Sequence, residues 1–265
     1  MAEGLLIVNP RAGNGRPGTD ELVVEARERR LDVHVLSGGD NPAAVAREAE
    51  AAVIGIAGGD GSCAAVAQVC VERDVPFLCV PFGTRNHFAR DAGIDRADPV
   101  GALDLFADGH ERRVDVGRVQ DQLFLNNVSL GLYARLVHHR EQRRRRREAL
   151  ARLRALALLA TDRDPLGLRI EGEPVTARIL LVSNNAYKLD VLSIGERERL
   201  DEGLLHVYVP TGVLPHEWHD RTSTQIEIDS VRPRLRAAID GEPAELETPI
   251  RFSIEPGALR LLGPA

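Results

Sequence analysis

Lysine is almost absent from this chain: its basic residues are nearly all arginine, and Lys188 stands alone. That excludes a P-loop phosphotransferase, whose glycine loop must be followed by a lysine that reaches the phosphates. Aromatic residues make up only 4% of the 265 residues, so no aromatic-lined pocket can be read from the sequence. There are three cysteines, Cys63, Cys70 and Cys79, and no two have CxxC spacing. An odd set without metal-ligand spacing reads as buried thiols in a reducing compartment. No run approaches the roughly 20 apolar residues that cross a bilayer. The longest candidate, Leu153 to Ala160, is short and contains Arg154. The opening MAEGLLIVNP has no basic start and a short apolar run, which is not the pattern of a secretory leader. The formal net charge is −6, against the basic balance of a nucleic-acid binder, so no nucleic-acid partner is expected. Apolar residues at 43% and charged residues at 28% are ordinary for a globular protein with a real core. The expected location is the cytoplasm.

What is there has a rhythm. Leu5–Val8 reads as a buried strand, followed by a Gly-rich loop from Ala12 to Gly18 and a helix capped by Thr19 and running to about Arg30. Val33–Leu36 is a second strand. Asn41-Pro42 starts a helix through Ala51, with proline at the first helical position. Val53–Ala57 is a third strand, Gly58–Ser62 its exit loop, and a helix follows to about Arg73. Phe77–Val80 is a fourth strand, with a loop from Pro81 to Asn86. This βαβα alternation predicts a Rossmann-like, doubly wound parallel sheet with helices on both faces. Near Arg113 the rhythm changes. Arg113–Val119, Leu123–Ser129, Arg178–Ser183, Leu204–Val209, Gln225–Val231 and Ile250–Ile254 are strand-like, and one clear helix, Arg140–Ala160, interrupts them. Strands without intervening helices predict a β-rich antiparallel second domain. The expected division is 1–112 for the α/β domain and 113–256 for the β-rich domain.

The strongest local signal is Gly58-Gly59-Asp60-Gly61-Ser62, after a strand and before a helix. Glycines let backbone approach phosphates, and a helix N-terminus offers unpaired N–H groups with partial positive charge. Asp60 puts a carboxylate beside them, whose natural partner is Mg²⁺. A plain Gly-Asp turn would look the same in isolation. Here, however, a second polar loop, Pro81-Phe82-Gly83-Thr84-Arg85-Asn86, leaves the next strand, and the first strand ends in Asn9-Pro10-Arg11-Ala12-Gly13. Ligands of such sheets bind outside the carboxyl ends of the strands. Three polar exits on that edge read as one phosphate-binding rim.

Taken in order, NPRAG, GGDGS, PFGTRNHFAR, RRVDVG, FLNNVSLG, LDEGLLHV and IDGEP resemble the diacylglycerol kinase catalytic-domain family, which includes bacterial lipid kinases and sphingosine and ceramide kinases. The resemblance implies two domains, with a strand near 257–265 (Ala258 to Leu262 at its centre) returning to the first. It implies ATP and Mg²⁺ as cofactors and a lipid acceptor, with phosphorylation of a hydroxyl group. Asn9, Ser37, Gly58, Gly59, Asp60, Gly61, Ser62, Thr84 and Asn86 would contact the nucleotide, and Asp60 would organise Mg²⁺. Glu242, in Asp240-Gly241-Glu242, would be the general base, with Asp240 in reserve. From the residues alone, Glu242 could equally sit on a surface turn. Where the family usually shows GTGNDFAR, Arg85 replaces a glycine and His87 an aspartate. Some bacterial members hold a structural metal near a DDGLL run. Arg199, Glu202 and Leu204 mark its place here, with glutamate at the carboxylate position.

Two further features have competing readings. His216-Glu217-Trp218-His219 has its histidines three apart and is not the zinc helix, which needs them four apart. Arg143–Arg147 leads into Leu150, Leu153, Leu156 and Ala157 on one helical face. It could meet anionic headgroups at the inner face of the membrane. Five consecutive arginines point all round a helix, which favours a solvated end with packed leucines instead. The resemblance also admits a homodimer. The rival functions are an NAD-kinase-like phosphotransferase, since that relative also uses GGDG, and a nucleotide-binding regulatory protein without turnover. The Gly-Thr-Arg-Asn loop and the IDGE ending suit the lipid-kinase branch better.

Overall fold

A computed structural model of the chain describes residues 4–13, 15–131, 166–177, 179–190, 193–211 and 217–265. The helix expected over Arg140–Ala160, its arginine run and His216 lie outside the described residues. The chain divides into two compact units. Unit 1 comprises Met1–Val116, Glu196–Glu202 and Pro256–Ala265; unit 2 comprises Gly117–Gly195 and Gly203–Glu255. Sequence reasoning did not assign the short segment Glu196–Glu202 to the first unit.

Unit 1 runs β1 (Gly4–Val8), α1 (Thr19–Glu28), β2 (Asp32–Val35), α2 (Pro42–Glu48), β3 (Val53–Gly58), α3 (Asp60–Arg73), β4 (Phe77–Pro81) and α4 (His87–Asp91). A 3₁₀ turn, Gly101–Asp104, leads into α5 (Leu105–Asp108). The sheet order is β2-β1-β3-β4, all parallel. Parallel strands covered on both faces must be apolar throughout. Leu6, Ile7, Val8, Ile54, Ile56, Phe77, Leu78 and Val80 accordingly lie fully buried. The order reverses direction between β1 and β3. Right-handed crossovers then place α1 on one face and α2 with α3 on the other. Gly18, not Thr19, takes the N-cap of α1, and its N–H donates to the Glu21 carboxylate at 3.3 Å. Asn41 caps α2 as its sequence implies, accepting from the Ala43 N–H at 2.9 Å. The expected Rossmann-like α/β architecture is present.

Unit 2 takes the end of β5 (His110–Val119), then β6 (Gln122–Phe124), β7 (Asn127–Gly131), β8 (Leu168–Ile170), β9 (Glu173–Val175) and β10 (Ile179–Asn184). A small hairpin, β11 (Leu189–Asp190) with β12 (Ser193–Ile194), follows. Then come β13 (Leu205–Thr211), β14 (Glu217–Ser223), β15 (Gln225–Ser230), β16 (Arg234–Ile239), β17 (Glu242–Glu247) and β18 (Ile250–Gly263). One antiparallel sheet runs β14-β13-β10-β7-β16-β17. The first residues of β18 pair antiparallel with β15, which pairs with β8 and it with β9. Alternation sends Val128, Leu130, Leu180, Val182 and Val207 into a core shared with Ile170, Ile228 and Phe252. Phe124 and Phe252 meet edge to face there, with ring centroids 6.4 Å apart. The end of β18 lies in unit 1, where Leu261 pairs with Phe77 of β4 in parallel. The expected β-rich antiparallel part is therefore present too.

Candidate active site

The crevice at a strand-order reversal is where open α/β sheets bind ligands. In unit 1 it lies beyond the carboxyl ends of β1 and β3. Asn9 follows β1 directly; its N–H donates to Ala57 of β3 at 2.8 Å, and its side-chain amide donates to the Ser62 hydroxyl at 2.9 Å. Asn9 also accepts from the Arg11 N–H at 3.1 Å, which folds the NPRAG segment back on itself. A Cβ at Gly13 would collide with the Phe82 ring, so the first and fourth strand exits pack together.

Helix α3 starts inside the GGDGS motif, where the sequence suggested a loop through Ser62. Gly58 ends β3, Gly59 is the N-cap, and Asp60, Gly61 and Ser62 form the first helical turn. The first N–H groups of a helix lack intrahelical partners and carry the positive end of its dipole. A Cβ at Gly59 would meet no atom within 4 Å, so the side of the residue where a side chain would stand is open. The Asp60 carboxylate accepts from the Phe88 N–H at 3.2 Å, tying α3 to the start of α4.

The PFGTRN loop is held rigidly. Asn86, buried and at φ 49°, accepts from the Gly83 N–H at 2.8 Å and donates to the Gly83 carbonyl at 2.9 Å. Its amide thus organises the loop rather than facing outward. A Cβ at Gly83 would come within 2.6 Å of the Gly59 Cα, so glycine alone lets the two loops touch. Thr84 and Arg85 are exposed between these anchors. Ser37, exposed at the exit of β2, donates its N–H to Asp40 at 2.8 Å, and Arg11 reaches the neighbouring Gly38 carbonyl at 3.5 Å. His87 is half-buried; burial pushes its pKa down, the Asp60 charge pulls it up, and Arg90 and Arg85 lower it further. Behind the loop, Asp91 and Arg197 form an ion pair at 2.8 Å with both side chains fully buried, and Arg90 pairs with the same carboxylate at 2.6 Å. Such a pair fixes Glu196–Glu202 against α4, and breaking it would strand a buried charge.

In unit 2, Asp240 and Gly241 are the two residues between β16 and β17, at φ 48° and 84°. Two positive-φ residues make the tight hairpin turn that Asp-Gly favours. The Asp240 carboxylate is buried and accepts from the N–H groups of Leu125, Asn126 and Asn127 at 2.7, 2.7 and 3.1 Å. This gives Asp240 a structural task in place of the reserve catalytic one. It also explains why Leu123–Ser129 is two strands and not one: the three amides turn away from the ladder between β6 and β7. Glu242, the first residue of β17, is paired with Ile239 and half out of the turn on the exposed side.

Arg199 is exposed; its guanidinium donates to Asp201 at 3.0 Å, which raises its pKa. It therefore offers a salt bridge at the place marked for a structural metal. The Leu204 carbonyl accepts from the Asn185 N–H at 3.0 Å. Among the described residues no group of three or more His, Cys, Asp or Glu could hold a metal ion, around Glu202 or elsewhere. Cys63, Cys70 and Cys79 are free and buried, as read from the sequence; burial pushes the Cys70 thiol up to about 12.

Residues 3–119, which contain every element of this rim, match the family model of the diacylglycerol kinase catalytic domain. That is the part of this chain which is similar to the family. The match takes in the NPRAG, GGDGS, PFGTRNHFAR and RRVDVG motifs. A diacylglycerol kinase of Mycobacterium tuberculosis (strain H37Rv) is 30% identical over 152 residues, 52% of this chain and 48% of that one. The chain therefore spans about half the length of that relative. A Pseudomonas aeruginosa (strain PAO1) protein named "Probable lipid kinase YegS-like" is 26% identical over 98% of this chain and 94% of its own. The crystal structure of a diacylglycerol kinase from Bacillus anthracis str. Sterne superposes with a TM-score of 0.70 at 18% identity, covering 99% of this chain and 97% of that one. At that identity the likeness concerns the fold.

Sequence reasoning missed the parts that Phe88, Gly83 and Arg197 play: it shows Gly83 only as a member of its loop. Phe88 and Gly83 act through the backbone, which no residue type announces. Arg197 lies far along the chain, and its buried pairing with Asp91 brings it beside α4.

Proposed function

We propose that the protein is an ATP-dependent lipid kinase that phosphorylates an acceptor hydroxyl. The observation that carries this reading is the joined rim of unit 1. Asn9 is bonded to Ser62, Gly83 packs on Gly59, and Gly59, open on its side-chain side, leads into helix α3. Backbone N–H groups at such a helix start stabilise phosphate charge, and phosphoryl transfer asks mainly for positioning and charge neutralisation. The family match over residues 3–119 supports the same chemistry. Gly59, Gly61, Ser62 and Thr84 would face the nucleotide, with Asn9 holding Ser62 in place. Asp60 would hold Mg²⁺, which supplies positive charge to the phosphates. Glu242 would take the proton as the acceptor oxygen bonds to the γ-phosphorus and the bond to the ADP oxygen breaks. The positive-φ turn at Asp240-Gly241 fixes where that carboxylate leaves the hairpin.

The test is transfer of label from γ-³²P-ATP with Mg²⁺ to total bacterial lipid in mixed micelles, with NAD and soluble alcohols in parallel. A labelled lipid is the expected result. Label in NAD alone, or in none of the acceptors, contradicts it.

A further inference from the structure

We infer that Arg85 is a phosphate-contacting residue of the rim, an assignment that rests on the kinase reading above and extends it. The loop that carries Arg85 is fixed at both ends. Asn86 clasps Gly83, and Arg96 donates to the Arg85 carbonyl at 3.2 Å. The backbone is thus committed to the fold, while the guanidinium is exposed and has no hydrogen bond or ion pair among the described residues. The other arginines nearby are occupied: Arg90 and Arg197 by Asp91, and Arg96 by the Arg85 carbonyl. The Asp91 carboxylate is answered by two guanidinium groups, so the fold does not call on Arg85 for charge balance. Asp60, Arg90, Arg85 and Asp91 all act on the charge of His87, so the Arg85 guanidinium and the GGDGS carboxylate share that neighbour. Gly83, two residues earlier, touches Gly59, whose side-chain side is open.

A fixed backbone displaying a fork of donors that is unpaired among the described residues suits an oxyanion bound through two N–H groups, and beside the GGDGS helix start that oxyanion is a phosphate group. Unit 1 contains no lysine to do this work. The phosphate could belong to the nucleotide or to an anionic headgroup of the acceptor, and the two sources separate by experiment.

The variants are Arg85→Ala and Arg85→Lys, both expected to keep the wild-type Tm because the side chain is exposed. Binding of ATP, ADP, AMP and inorganic tripolyphosphate is measured by calorimetry, and KM is measured with phosphatidylglycerol and with diacylglycerol. If the nucleotide is the source, Arg85→Ala weakens ATP and tripolyphosphate about tenfold or more and AMP far less. Arg85→Lys then recovers part of the loss, since it keeps the charge and loses the fork. If the headgroup is the source, nucleotide affinity is unchanged and KM rises about tenfold for phosphatidylglycerol alone. Kd and KM values within about twofold of wild type throughout would overturn the assignment. A wild-type chain that binds tripolyphosphate through Arg85 but transfers no phosphate to any acceptor would sink the kinase reading and leave the phosphate site standing.

Discussion

In unit 1 the pair Asp60-Gly61 opens helix α3; in unit 2 the pair Asp240-Gly241 turns a hairpin. The first carboxylate is partly exposed, at the start of a helix beside an open glycine, and bonds the Phe88 N–H. The second is buried and takes three consecutive backbone N–H groups. The same dipeptide therefore leaves one carboxylate partly exposed and buries the other in the fold. Burial and the number of amides that converge on each carboxylate separate chemistry from architecture here, where residue type does not. It also separates Glu242 from its neighbour Asp240, since the hairpin holds the first in place by consuming the second.

That contrast can be broken by substitution. Asp240→Ala leaves three buried amides without their acceptor, and should lower unfolding stability by about 3 kcal/mol. Urea denaturation checks this, and a loss under about 1 kcal/mol would remove the structural role. Gly83→Ala should cost about 1–3 kcal/mol, because its Cβ meets the Gly59 backbone at 2.6 Å. Gly59→Ala is the matched opposite: with open space around its Cβ, the Tm should hold while ATP affinity falls. Equal stability losses in the two glycine variants would show that the opening is not there. Gly241→Ala, at φ 84°, should cost about 1 kcal/mol through backbone strain alone. Asp60→Ala should cost only about 1 kcal/mol or less through its bond to the Phe88 N–H, yet it should abolish transfer.

Much of this was legible in the sequence because the signals are local. The apolar runs of β1, β3 and β4 and the glycines after them identify a parallel sheet and its ligand edge without any tertiary information. What could not be read depends on partners far along the chain. Leu123–Ser129 has the pattern of one strand, and it breaks because a carboxylate more than a hundred residues later captures its central amides. Asn86 has the residue type of a ligand contact, but its left-handed backbone turns the amide onto Gly83. The place of Glu196–Glu202 in unit 1 depends on a buried ion pair with Asp91, and periodicity carries no trace of it.

In the proposed kinase, unit 1 would hold the nucleotide and Glu242 would serve only the transfer. The direct measurement is ATP affinity and turnover in Glu242→Gln beside the wild type, under one set of conditions. The expected result is an unchanged Kd for ATP and a fall in kcat of about 10²–10⁴-fold. Unchanged turnover in the variant, or a loss of ATP binding as large as the loss of turnover, would contradict it.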